Sequence, residues 1–394
     1  MWMKILMLGW EFPPLKSGGL GTYLFHFTRE LHSLGVSLSF IMPCVGKDLK
    51  QDFINILQAG PASEIIGIRS TLTPYAVSLP DGTLQLQVQF AGLEFMQEVR
   101  AYTVNAVRIG KDISCDAIHC HDWMTFPAGI ILKRILKKPL VVTIHSTEFD
   151  RTGQLFPNQQ IAGIEKKGLV EADRIITVSK LMKNQIIEKY GISPEKIRVV
   201  YNAVDLSHYK RKEVQKPLAE KIVLFVGRLT IQKGCEFFLE AAKRVLEEEP
   251  NTRFVIVGTG DLLFDLINKS IELGISNKVT FTGYEEDVSA YYSIADLFVM
   301  PSVSEPFGLT AVEAMACKAP VLISRQSGVS EVLRNVLKVD FWDTRELAAK
   351  IVSVLKYSSL MEELRERGFN EIQQFRSWRD VASETIRVYR DVIG

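Results

Sequence analysis

Two rhythms of apolar and polar positions alternate along the chain. Short blocks that are apolar nearly throughout are each followed by a stretch in which apolar residues recur every three to four positions. The first block, KILMLG (4–9), predicts a buried strand. Leu20, Tyr23, Leu24, Phe27, Leu31 and Leu34 then mark one face of a helix, with Gly35 as its cap. SLSFIMP (37–43), AIH (117–119), LVVTIH (140–145) and RIITVS (174–179) predict further strands. Between them LTPYAVSLPDGTLQLQVQF (72–90) breaks the rhythm and predicts a hairpin turning at Pro80-Asp81-Gly82. The pattern restarts after a polar stretch, SHYKRKEVQKPLAEK (207–221). KIVLFVGRL, RFVIVGTG, KVTFTG, DLFVMPS and APVLIS follow as five strands, each leading into helical sequence.

Apolar strands alternating with helices predict parallel sheets covered on both faces. The fold class is therefore α/β, with two doubly wound Rossmann-like domains and a deep cleft between them that the strand carboxyl ends face. A length of 394 residues fits two such domains. The expected division is 1–206, 207–374 and a terminal helical segment over 375–394, with the hinge near Val204 to Lys216. A net charge of +1 from 47 basic and 46 acidic groups gives no global field for nucleic acid. No apolar run approaches the ~20 residues of a membrane span, and the start reads as a strand and not as a signal peptide. ILKRILKK (131–138) is a basic amphipathic stretch that reads as a solvated helix face, with peripheral membrane contact as the lesser alternative. The 5 scattered cysteines point to a reducing, cytoplasmic setting. Cys115, His119, Cys120 and His121 crowd together in SCDAIHCHDW, but their spacing matches no usual metal motif, and no metal or cofactor is expected.

The chemistry-bearing residues fall at strand carboxyl ends. Arg228 closes VLFVGR and Lys233 follows in GRLTIQKG, so both project from one strand-to-helix loop. A planar fork and a compact point charge suit the oxygens of a departing diphosphate. The run SEPFGLTAVEAMACKAPVL (304–322) sets Glu305 before Pro306-Phe307-Gly308, where a helix cannot yet have begun. The helix then starts with Leu309 and Thr310, and its amide-rich tip suits phosphate. Glu313 stands among Ala311, Val312, Ala314, Met315 and Ala316. An unpaired carboxylate is costly there, and a ligand hydroxyl is the partner it would take. Gly18 and Gly19 lie in KSGGLGT, a loop that lets main chain approach a sugar or phosphate but is not a dinucleotide fingerprint. His145 ends the strand of TIHSTEF. No D-x-D pair occurs, which suits a diphosphate site that works without metal.

These motifs together resemble a known family. E-P-F-G-L-x-x-x-E (Glu305 to Glu313), G-R-x-x-x-x-K-G (Gly227 to Gly234) and K-x-G-G-L-G (Lys16 to Gly21) look like a retaining GT-B glycosyltransferase of the glycogen and starch synthase-like family. ADRIITVSK, YNAVD and the terminal FRSWRDVASETIRVYRDVI extend the likeness over almost the whole chain, the last as a helix crossing back onto the first domain. The resemblance implies that Arg228 and Lys233 bind the donor diphosphate, Glu305 the donor sugar, and Glu313 the ribose. His145 would lie near the transferred sugar. Gly18, Gly19, Phe307, Gly308, Leu309 and Thr310 would line the donor. It implies glucose transfer with retention, from ADP- or UDP-glucose to the non-reducing end of an α-1,4-glucan. The alternative within the same fold is a small sugar, sugar phosphate or lipid-linked acceptor. Thr22 stands where polymer synthases often carry Asp, and Ser146 where they often carry Asn, and both departures bear on the acceptor. A dinucleotide-dependent oxidoreductase and a non-transferring nucleotide binder are the readings from other classes. The first lacks a fingerprint, and the second leaves the full set of phosphate, ribose and sugar groups without a purpose.

Overall fold

The computed structural model describes residues 2–13, 19–43, 51–59, 91–214, 216 and 219–394, with the backbone alone for 91–94. The hairpin expected at 72–90, and Gly18, lie outside the described residues. In chain order the first half runs β1 (Met3–Leu8), α1 (Gly19–Ser33), β2 (Val36–Met42), β3 (Asn55–Gln58), α2 (Ala91–Gly110), β4 (Ala117–His121), α3 (Phe126–Leu136), β5 (Leu140–Ile144), α4 (Glu148–Arg151), α5 (Gln159–Glu171), β6 (Arg174–Thr177), α6 (Lys180–Tyr190) and β7 (Ile197–Val199). The second runs β8 (Lys221–Val226), α7 (Cys235–Glu248), β9 (Thr252–Val257), α8 (Leu263–Glu272), β10 (Val279–Gly283), α9 (Ser289–Ile294), β11 (Leu297–Met300), α10 (Leu309–Ala316), β12 (Val321–Ser324), β13 (Leu337–Val339), α11 (Thr344–Lys356), α12 (Ser358–Ile372) and α13 (Trp378–Ile393).

The chain forms two compact units. The first holds residues 1–148, 157–201 and 378–394, and the second holds 149–156 and 202–377. The terminal helix α13 is grouped with the first unit, whose members otherwise end at Tyr201. The short segment 149–156 belongs with the second unit, which its position in the sequence did not signal; there Ser304 Oγ donates to Asp150 Oδ1 at 2.6 Å.

Each unit is built on a parallel sheet, ordered β3-β2-β1-β4-β5-β6-β7 in the first and β10-β9-β8-β11-β12-β13 in the second. Both faces are covered by helices, which is why β4 and β5 are buried at every position, the polar His119, His121 and Thr143 included. Local chemistry ends the helices where the sheets need them to end. Ser179 Oγ accepts from the Met182 amide to start α6, and Gly191 at φ 70° stops it. In the second unit Phe225, Phe238, Phe254, Leu297 and Leu322 form the centre of the core. The orders place one topological switch point in each unit, between β1 and β4 and between β8 and β11. Open α/β sheets bind ligands outside the strand carboxyl ends at such points.

The basic stretch at 131–138 forms most of α3 and its end. Lys133 Nζ lies 2.8 Å from Asp173, and Arg134 2.9 Å from Glu171, so two of its four cations are paired with neighbouring carboxylates. No helix among the described residues is long and apolar enough to cross a membrane.

Candidate active site

The second unit gathers two of the sequence-predicted loops at its switch point. Arg228 and Lys233 follow β8, and Glu305 and Gly308 follow β11. Those strands are direct neighbours, with Leu297 opposite Val223 and Phe298 opposite Leu224. Main-chain bonds tie the loops together: the Val303 amide donates to the Gln232 carbonyl at 2.9 Å. Gly234 makes the approach possible, because it sits at φ +67° and a Cβ there would lie 2.1 Å from the Pro301 carbonyl oxygen. Lys233 Nζ consequently reaches Glu305 Oε2 at 2.5 Å, and Ser302 Oγ donates to the same oxygen at 3.2 Å. Two residues 72 positions apart in sequence form one mostly buried ion pair.

The Glu305 loop is held from its other side as well. Its amide donates to Gln326 O at 2.9 Å, its carbonyl accepts from Gly328 N at 2.9 Å, and Phe307 O accepts from Val329 N at 2.7 Å. Phe307 itself is a core side chain, so what it offers a ligand is main chain. Gly308 follows at φ +111°, and a Cβ there would meet Met300 Cε at 2.8 Å and Val329 Cγ1 at 3.1 Å. That backbone turns the chain sharply into α10, leaving the Leu309 and Thr310 amides in its first turn without intrahelical acceptors. The tip is electropositive and flanked by an ion pair whose lysine side chain is 20% exposed.

Glu313 has protein partners that sequence reasoning missed. Tyr292 Oη donates to Glu313 Oε2 at 3.0 Å, and the Tyr209 hydroxyl also bonds to this carboxyl group. Burial raises the carboxyl above the usual range, and the two phenols only partly offset it. In the protein alone, then, this carboxyl is answered by tyrosine hydroxyls. Tyr209 lies in the polar stretch read as an interdomain linker, where nothing in the local pattern marks it as a neighbour of Glu313.

In the first unit, Gly19 opens α1 just after β1, and His145 follows β5. His145 does not stand alone. Its Nε2 lies 3.1 Å from His121 Nδ1, and its amide donates to Asp122 Oδ1 at 2.8 Å. Tyr23 packs edge-on against its ring at 4.5 Å. His119, on the same face of β4 as His121, shares hydrogen bonds of 2.7 Å with Tyr389 Oη and with Thr143 Oγ1. Burial pushes His119 and His145 down to about 3 and His121 well below the ordinary value, so the three rings are neutral. His119 and His121 point one way into this network, while Cys120 points the other way, against Gly129. The strand extends to His121, two residues further than AIH suggested, which is why the alternation carries both histidines to one face.

Comparison with known proteins shows the family. Residues 17–208 match the family described as glycosyltransferase family 4, and residues 208–371 match glycosyl transferases group 1. An uncharacterized glycosyltransferase of Methanocaldococcus jannaschii is 31% identical, with 98% of each chain covered. The chain belongs to the GT-B glycosyltransferases of this group. A glycogen synthase of Mycobacterium tuberculosis is 26% identical over 98% of this chain and 94% of its own. A D-inositol 3-phosphate glycosyltransferase of Segniliparus rotundus is 28% identical over 76% of this chain and 73% of its own. Among solved structures, sucrose-phosphate synthase of Thermosynechococcus elongatus superposes with a TM-score of 0.78 at 21% identity, covering 99% and 98% of the two chains. The Anabaena protein HepE, solved with UDP and glucose, superposes at 0.74 with 19% identity over 99% and 100%. These last two likenesses concern the fold.

Proposed function

We propose that this glycosyltransferase moves glucose from a nucleotide-glucose to the non-reducing end of an α-1,4-glucan, with retention of configuration and without a metal. The observation that carries the donor half is the Lys233–Glu305 pair at the α10 tip, at the switch point of the second sheet. Lys233, Arg228 and the Leu309 and Thr310 amides take the leaving diphosphate, whose charge grows as the glycosidic bond breaks. Glu305, one oxygen of which is already engaged by Lys233 and Ser302, has the other for donor-sugar hydroxyls. Glu313 takes the ribose, exchanging a phenol for a ligand hydroxyl. His145 contacts the transferred sugar. The leaving phosphate accepts the acceptor hydroxyl's proton on the face where the bond breaks, so no protein nucleophile is required. The solved relative holding UDP and glucose supports a nucleotide-sugar donor.

A second acceptor class has a specific observation in its favour. Inositol-phosphate glycosyltransferases match at 25–28% identity, as closely as the glycogen synthase at 26%. A phosphorylated small acceptor is thus the alternative to the glucan. The deciding experiment offers UDP-glucose and ADP-glucose to glycogen, maltooligosaccharides, fructose 6-phosphate, inositol phosphate and lipid-linked acceptors. An α-linked glucose on glycogen supports the leading reading. Transfer only to a phosphorylated small molecule replaces it, and a β-linked product removes retention.

A further inference from the structure

The contact between His121 and His145 has a consequence for which atom His145 presents to a ligand. His121 is fully buried, and its two ring nitrogens differ sharply in surroundings. Nδ1 lies 3.1 Å from His145 Nε2, whereas Nε2 is buried without a hydrogen-bond partner. A neutral imidazole carries one proton. With the proton on Nδ1, His121 donates to His145 and leaves only a bare lone pair at Nε2. With the proton on Nε2, it would bury an N–H that has no acceptor. Orphaned N–H groups are the rarer of the two in protein interiors, so the first arrangement prevails.

That choice fixes the next ring. If His145 Nε2 accepts from His121, neutral His145 carries its own proton on Nδ1. Among the described residues that nitrogen has no hydrogen-bond partner. The ring cannot turn away easily, since its amide is tied to Asp122 Oδ1 and its edge is packed by Tyr23. Asp122 holds φ +61°, a conformation uncommon for a residue other than glycine, and Thr125 Oγ1 caps that turn by donating to the Asp122 carbonyl at 2.9 Å. His121 is anchored in turn by its place on β4 beside His119, 4.2 Å between ring centroids.

We propose that His121 is a positioning residue that sets the tautomer of His145, so that His145 offers an Nδ1–H donor to an acceptor oxygen of the transferred sugar. This inference rests on the reading that His145 contacts that sugar. Because all three histidines stay uncharged through the neutral range, the arrangement does not change with ordinary variation in pH.

The test has a spectroscopic arm and a kinetic arm. In the full chain labelled with ¹⁵N-histidine, two-bond proton–nitrogen correlations at neutral pH report the tautomer of each of the 6 histidines. Single His→Phe variants assign them. His121 and His145 are both expected as Nδ1–H tautomers, and His121→Phe is expected to scramble the His145 pattern. His121→Asn, whose amide N–H falls near the Nδ1 position, restores it. With UDP-glucose and glycogen, or whichever acceptor the product assay selects, His121→Phe should lower kcat about tenfold with little change in donor KM, and His121→Asn should recover most of it. An Nε2–H tautomer on His145 in the unmodified protein overturns the proposal. Unchanged kcat in His121→Phe, alongside impaired His145→Ala, overturns the positioning role alone. Unchanged transfer by His145→Ala overturns the sugar contact itself, and the role of His121 with it.

Discussion

Replacing Lys233 with alanine separates what the ion pair does for the fold from what it does for transfer. The two side chains are 20% and 9% exposed. Removing one member of a buried pair strands the other charge and costs ~3–5 kcal/mol. Here the partial exposure of Lys233 and the hydroxyl that Ser302 still donates to Glu305 bring the loss below that range, to about 2–3 kcal/mol. For a unit of this size that lowers Tm by about 4–12 °C. If the ammonium also meets the departing diphosphate, transition-state stabilisation falls by about 2–4 kcal/mol, or about 30- to 900-fold in kcat/KM. The double variant Lys233→Ala/Glu305→Gln isolates the effect on the fold. With no carboxylate left stranded, most of the Tm should return, and the transfer test rests on Lys233→Ala alone. The assay is release of nucleoside diphosphate, run well below the lower Tm and paired with thermal scans. A Lys233→Ala protein that melts early yet transfers at the wild-type kcat/KM when folded would refute the phosphate assignment and leave the pair a structural one.

Other consequences can be measured in the same preparations. Glu313→Ala should weaken nucleotide-glucose binding by about 10- to 150-fold, the worth of hydrogen bonds to a charged group, and should slow bound-state chemistry much less; a fall in turnover alone would remove the ribose role. Depressed histidines make the first unit acid-labile. Unfolded histidines take up protons below about pH 6.5 while His119 and His145 hold out to about 3 and His121 resists too, so stability should drop by about 1.4 kcal/mol per histidine for each pH unit across that window. Denaturant midpoints that stay flat from pH 6.5 to 4.5 would contradict neutral burial of these rings. Dialysis against EDTA should leave transfer intact, and a complete loss restored by Mg²⁺ would assign the diphosphate charge to a metal.

Much of this was legible in the chain because parallel strands buried on both faces leave an unmistakable apolar rhythm, and Gly, Pro and charged residues cluster where strands give way to helices. The strand-end location of Arg228, Lys233, Glu305 and His145 follows from that rhythm alone. The short edge strands β3, β7 and β13, of 4, 3 and 3 residues, escaped notice, since so few residues carry no periodicity. Neighbourhood was the part that only the folded chain decided. That β8 lies against β11 is a fact of sheet order, and it alone brings Lys233 to Glu305. The phenols at Glu313 and the stacked histidines beneath His145 likewise come from segments far apart in sequence. Local pattern records how each residue faces its own element. Which elements meet is set by burying all the apolar faces at once, and that optimum belongs to the whole chain.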